Sequence, residues 1–310
     1  VTAASLRGRP GGFTTTSTGR PGVPERLRRV IQYRRILSLL VRRDLKVRYA
    51  GSALGYLWSV LDPLLSSVVY WGVFTLIFQR KVGYPPYILF LVLGQIMWAW
   101  FSGGVTGSVR ALRAQSQMVR SSNVPRELWV LRLVMSKGVE FVFSLPVIAV
   151  FALAYLKAPS FGLIYLPLAM LMCFFLVLGI GLILAPLNVL VRDIERIVPI
   201  VMRVLFYASP ILYSVKDVPN HLHIALSLNP TTGMLVLARA SFFPQELAGT
   251  VPLDKNHVPV THIVNGHKET VMHYVNNWNL VWHSAIGIAV IFVIGVFVFS
   301  RLERPMLKEI

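Results

Sequence analysis

The residues that could do chemistry in this chain are few, because only 13 of its 310 residues are Asp or Glu. Asp44 and Arg48 stand four apart in a segment of apolar and basic residues, a spacing that lets them pair across one helical turn. Lys137 and Glu140 stand three apart and have the same option. Asp62, Glu140 and Arg203 fall within or beside long apolar runs, where an ion-coupled transporter would need protonatable groups. Asp62 and Glu140 lie near the ends of their runs, whereas Arg203 either reaches for water along its stem or faces a polar path. All seven histidines fall between His221 and His283, at spacings that match no zinc pattern, so no metal site is expected. There is no G-x-x-x-x-G-K-[ST] motif and not one Gly-Lys pair, so ATP phosphates find no cradle. No Ser/His/Asp, Asp-x-Asp or His-Glu-x-x-His constellation appears either, which leaves no catalytic residue to nominate and no cofactor on this chain. The single cysteine, Cys173, sits in an apolar run and has no partner for an internal disulfide.

The elements that carry these residues are membrane elements. The chain is 55% hydrophobic, 14% charged and has a mean hydropathy of +0.62, too apolar for an ordinary soluble domain. A net charge of +18 could suggest nucleic-acid binding, but the basic residues lie between apolar runs rather than on one soluble face. Runs fit to cross a bilayer, which takes about 20 residues, fall near 56–78, 87–106, 141–156, 163–190, 197–214 and 280–299; the third is short and the fifth contains Arg203, so both depend on snorkelling flanks. The first segment holds 12 Lys and Arg, the loop after the second run 6, the stretch 192–203 holds 3 and the C-terminal tail 3. Only 7 of the 31 fall on the other side, so both termini are expected in the cytoplasm.

Three segments are not spans. Residues 30–49 show a helical period, with Val30, Tyr33, Ile36, Leu37, Leu40, Val41 and Val47 on one side and basic residues on the other. That predicts an interfacial helix, on whose apolar face Asp44 and Arg48 form an ion pair, either at the surface or buried beneath the bundle. In the loop 110–132, Pro125 follows a break at Ser121-Ser122-Asn123 and opens a short amphipathic helix with Arg126, Glu127, Leu128, Trp129 and Leu131. Trp129 is either an interfacial anchor or part of an edge that a soluble partner grips. About sixty residues separate the last two runs, and their first half, broken at Asn229-Pro230, predicts two short helices dipping into the membrane. The second half alternates around Asn265-Gly266, as a small hairpin would. Aromatic residues at the span ends, among them Tyr56, Trp58, Tyr70, Phe74 and Trp98, are either belt anchors or a lining on which sugar rings stack.

Taken in order, these features resemble the type-2 ABC export permeases for O-antigen and teichoic acid. The likeness rests on Arg43-Asp44-Leu45-Lys46-Val47-Arg48-Tyr49, then Leu54-Gly55-Tyr56-Leu57-Trp58 and Pro63. It continues through Val124-Pro125-Arg126-Glu127, then Leu187-Asn188-Val189-Leu190-Val191-Arg192-Asp193-Ile194, Ser209-Pro210-Ile211 and Asn229-Pro230. The resemblance implies an all-α polytopic fold with six transmembrane helices, an N-terminal amphipathic interface helix, a cytosolic coupling helix and re-entrant outer gate helices. It divides the chain into a disordered tail (1–25), the interface helix (26–50) and a permease domain (51–310), with the outer loop at about 215–279.

By the same resemblance, a homodimer in the bacterial cytoplasmic membrane binds two copies of a P-loop ATPase, which carry the ATP and Mg. It exports a glycan linked to a polyprenyl diphosphate, with membrane lipids around it. Residues Val124, Pro125, Arg126, Glu127, Leu128 and Trp129 would couple to the ATPase, and Asn229 and Pro230 would belong to the outer gate. Tyr56, Trp58, Tyr70, Phe74, Trp98 and Arg203 are the candidates for the channel lining. The basic tail and the outer insertion around 254–273 are similar to the actinobacterial branch that exports lipid-linked cell-wall galactan. Two other classes stay open: an ion-coupled oligosaccharide flippase, which should bury several ionisable groups, and a membrane-bound glycosyl- or acyltransferase, which should show an acid/base cluster.

Overall fold

The computed structural model describes residues 23–79, 83–122, 124–155, 161–247, 261–264, 267–270 and 277–309. The tail before Val23 lies outside them, as does most of the outer insertion.

The amphipathic segment forms two helices, α1 (Val23–Gln32) and α2 (Arg34–Arg48), where one was expected, because Tyr33 leaves helical geometry with ψ near 14°. A 3-10 turn at Gly55–Leu57 leads into α3 (Trp58–Gly72), which ends in a π turn at Val73–Ile77. Next come α4 (Tyr87–Val109), the short α5 (Ser116–Ser121), α6 (Glu127–Ala154), α7 (Tyr165–Leu190) and α8 (Ile194–Ala208). The chain closes with α9 (His223–Leu228), α10 (Pro230–Ala240) and α11 (Trp278–Glu309). Between α10 and α11, β1 (Thr261–Val264) pairs antiparallel with β2 (His267–Thr270), Val264 opposite His267, as the hairpin pattern predicts.

Among the described residues five helical segments are long and apolar enough to cross a membrane: Gly55–Ile77, Tyr87–Val109, Glu127–Ala154, Gly162–Leu190 and Trp278–Glu309. Two expectations need correcting. The third span is a helix of 28 residues rather than a short run, because its charged residues pair off and need not interrupt it. The expected fifth span is a helix of only 15 residues, which stops before Ser209-Pro210. At 1.5 Å per residue it reaches about 22 Å, short of a hydrocarbon core of about 30 Å.

Helix α4 is buried along nearly its whole length and forms the axis on which α3, α6, α7, α8 and α10 pack. Every residue of α10 from Thr231 to Ala240 is buried among α4, α7 and α11. Large apolar side chains on the outer faces of α3, α8 and α11, such as Val69, Ile200, Val204, Trp282 and Val293, stand exposed. A surface of that kind is stable where hydrocarbon or another apolar face replaces water.

Candidate functional site

A cavity of about 310 Å³ opens where the end of α2 meets the start of α3, the second half of α4 and the middle of α6. Its polar side is a carboxylate shared by two cations. Glu140 accepts a bond from Lys137 Nζ at 2.6 Å and another from Arg48 Nη1. The i,i+3 spacing puts Lys137 and Glu140 on one face of α6, and Gly103 of α4 clears the path of the lysine stem. A Cβ at Gly103 would stand 3.0 Å from Lys137 Cε. The Glu140 side chain is only 7% exposed, while those of Lys137 and Arg48 keep 24% and 31%, so the cations face the open space. Asp62 of α3 faces it as well.

The apolar side is aromatic. Trp58 and Trp100 line the cavity with Tyr49, and Trp100 is fixed by an Nε1 bond to the Val134 carbonyl at 3.3 Å and by Phe141 at 5.2 Å between centroids. The hydroxyl of Tyr49 faces Glu140 and Ser59, and burial followed by the Glu140 charge raises its pKa. Tyr56 stacks on the rim between Tyr49 at 4.7 Å and Phe143 at 5.7 Å.

A second ion pair holds α2 in register. Arg132 Nη1 donates to Asp44 Oδ1 at 2.6 Å, and the Arg132 guanidinium lies 5.3 Å from the centroid of the Trp129 ring. Burial pushes the Asp44 carboxyl up, against the pull of Arg132, Arg48 and Arg43. The expected Asp44–Arg48 ion pair is therefore replaced: each residue crosses to α6 for a partner of its own. The acid of α2 meets a base of α6, and the base of α2 meets an acid.

The expected site residues divide. Arg48 and Trp58 come together at the cavity, with Tyr56 on its rim. Trp98 is 8% exposed, packs on Phe101 and Phe206, and does not line this cavity. Tyr70 packs on Phe206 at 5.8 Å and Phe74 on Tyr87 at 6.3 Å, farther along α3. Arg203 lies exposed on α8 and makes no ion pair among the described residues.

The segment expected to couple to a partner is not a separate helix. Val124, Pro125 and Arg126 form a half-buried link, with Arg126 4.0 Å from Glu303 of α11, and Glu127 opens α6. Leu128 and Trp129 face inward at 0% and 3% exposure, because the first turn of α6 already packs on the bundle. The exposed face nearby is that of α5, with Gln117, Met118 and Arg120.

At the other end of the bundle Asn229 caps α10. Its Oδ1 accepts from Thr231 N at 3.0 Å, its Nδ2 donates to Ser209 Oγ at 3.0 Å, and Pro230 takes the first helical position. The Ser209 and Thr231 hydroxyls lie 2.8 Å apart, so the break after α8 and the start of α10 share one polar node. Sequence reasoning missed Arg239. It is 1% exposed, donates to the carbonyls of Pro210, Ile211 and Tyr213, and lies 3.5 Å from the Phe90 ring centroid. A Cβ at Gly94 would stand 2.6 Å from its Nη2. The available signal was a lone arginine among the apolar residues Leu235 to Ala240.

Residues 35–243 match the ABC-2 type transporter family. The chain belongs to that family. It is 35% identical over 208 residues to the O-antigen export system permease protein RfbA of Klebsiella pneumoniae, covering 67% of this chain and 80% of the relative. It is 31% identical over 229 residues to the RfbA of Myxococcus xanthus, covering 73% and 87%. The polysialic acid transport protein KpsM of Escherichia coli is 25% identical over 221 residues, covering 70% and 85%. The stretch that defines an ABC-2 transporter thus runs from α2 past α10 and contains the cavity, both cross-helix ion pairs and the Asn229 node. Helices α1 and α11 lie outside it.

Proposed function

We propose that this ABC-2 permease exports a lipid-linked polysaccharide across a bacterial cytoplasmic membrane, driven by a separate ATPase. The observation that carries the reading is the 35% identity that extends over 80% of an O-antigen export permease. The distant likeness to a polysialic acid transporter widens the cargo class to long glycans in general. Cell-wall galactan is the cargo we favour, on the resemblance of the basic tail and the outer insertion around 254–273 to the actinobacterial branch.

In this reading two copies of the chain form the path and bind two copies of a P-loop ATPase. Both termini lie in the cytoplasm, which the lopsided distribution of Lys and Arg supports. The cavity then sits in the cytoplasmic half of the bundle, where it receives the headgroup of the cargo. In this reading the sixth crossing is α8, about 22 Å of helix, continued by the turns at residues 209–214 whose carbonyls Arg239 holds. The pair α9 and α10 dips from the outer face. Its turning point, Pro230, lies beside Gly287, roughly 13 Å along α11 from Trp278. The Asn229 node then closes the outer gate, and the link Val124–Arg126 with Glu127 and the exposed face of α5 receives the ATPase.

The test is to purify the tagged chain from its native membrane, identify what accompanies it by mass spectrometry and assay the eluate for ATP hydrolysis. A stoichiometric P-loop ATPase, together with loss of surface glycan when the gene is deleted, is the expected result. A chain that purifies alone and whose deletion leaves surface glycans intact overturns the reading.

A further inference from the structure

We propose that the Glu140 carboxylate is a resident stand-in for a phosphate: Arg48 and Lys137 form an anion site that is closed on Glu140 until a phosphate-bearing headgroup takes its place. The proposal rests on the reading of the cargo as lipid-linked.

Three features carry it. First, one carboxylate holds two cations at its two oxygens, the arrangement a tetrahedral phosphate satisfies with oxygens to spare. Second, the triad borders an open cavity rather than packed core. The carboxylate is 7% exposed and both cations line the space with 24% and 31% of their side chains exposed, so an incoming anion can reach them while Glu140 turns away. Third, Arg48 does not have to hold α2 in place. The Asp44–Arg132 pair, one turn earlier, and the buried Val41 and Leu45 hold α2 on the bundle, so Arg48 is free to change partners without releasing the helix.

The charges facing the cavity are Arg48 and Lys137 against Asp62 and Glu140, which balance. A phosphate therefore gains a site only as Glu140 gives up its hold, and the exchange makes occupancy selective: a neutral glycan or an uncharged lipid has nothing to offer the two cations. Trp58 and Trp100, on the apolar side, suit the sugar or isoprenoid carbon next to the phosphate. The phosphate could come from the diphosphate linkage of an isoprenoid-linked glycan or from an anionic phospholipid.

The experiment is a binding titration on the detergent-solubilised full chain with its ATPase, using farnesyl diphosphate, phosphatidylglycerol and farnesol as probes, with melting temperature recorded for each variant. A stand-in predicts an inverted pattern. Glu140→Gln tightens farnesyl diphosphate binding about tenfold, because the site no longer competes with itself, whereas Arg48→Gln and Lys137→Gln each weaken it by about tenfold or more. Farnesol binds equally weakly to all. A residue needed only for folding would weaken binding in every variant, and Glu140→Gln binding no tighter than the parent overturns the proposal. Arg48→Gln, which keeps the Asp44–Arg132 tether, provides an independent arm if Glu140→Gln melts too low to assay; unchanged affinity there overturns it equally. The same inverted pattern with phosphatidylglycerol, and none with farnesyl diphosphate, assigns the phosphate to a phospholipid and overturns the cargo assignment while leaving the stand-in. Absence of the pattern in a chain that still exports glycan removes the stand-in and leaves the export reading untouched.

Discussion

Two cationic clusters lie toward opposite ends of α4, one buried and one at the edge of a cavity, and they hold their charge by different means. Near Gly94, Arg239 is sealed in, with its guanidinium on backbone carbonyls of residues 210–213 and on the face of Phe90. Near Gly103, Lys137 and Arg48 share a side-chain carboxylate at the edge of a cavity. A carbonyl is fixed to the chain and cannot leave, so the first cluster stabilises one conformation of the open segment after α8. A side-chain carboxylate can rotate away, so the second is able to exchange ligands. A cation held by oxygens is common to both; its burial and the mobility of its partner separate a clasp from a binding site.

This contrast breaks most visibly at Arg239. Arg239→Leu leaves three buried carbonyls without donors, at about 1–3 kcal/mol each, and a loss of more than about 4 kcal/mol is expected in thermal unfolding of the purified chain. Arg239→Lys should recover only part of it, since a point charge replaces a planar fork. The next largest effect is at Trp129, where removal of a buried indole costs about 3 kcal/mol, measured the same way. Trp129→Ala is therefore a folding variant. Glu127→Gln, half-buried in the first turn of α6, should cost about 1 kcal/mol or less while lowering ATP hydrolysis by the assembled transporter. Asp44→Ala strands Arg132 and should destabilise by about 2–3 kcal/mol, whereas Arg48→Gln, with a more exposed side chain, should cost about 1 kcal/mol or less. Equal losses from Asp44→Ala and Arg48→Gln would erase the distinction between tether and exchangeable partner. Smallest of all, Arg203→Gln on the exposed face of α8 should change stability by no more than about 0.5 kcal/mol, and a glycan-export assay shows whether that face matters to transport.

Much of the architecture was readable from hydropathy, because a span has to satisfy its own backbone and present apolar side chains over a fixed length. Four of the runs, 56–78, 87–106, 163–190 and 280–299, correspond to helices within a few residues at most ends, the last continuing to Glu309. The fifth was misread because hydropathy counts apolar residues and does not register where the helix stops. Ser209-Pro210 ends α8, and the apolar residues beyond it pack as turns whose carbonyls bond Arg239. The third was read too short for the opposite reason: Arg132, Lys137 and Glu140 look like span ends until their partners on α2 and α6 are known.

By itself the sequence pointed to a membrane chain, placed four of the long apolar helices and marked Asn229-Pro230 as a helix start. These follow from local rules of length, capping and motif, which do not depend on what a residue touches. Which charges pair was decided only by the tertiary structure. Asp44 and Arg48 are neighbours on one turn, yet each bonds to α6, because a partner across a buried interface is less screened by water than one along an exposed helix. The same packing turned Trp129 from a surface handle into a core residue, enclosed Trp98 and brought Trp58 and Trp100, 42 residues apart in the chain, to one cavity.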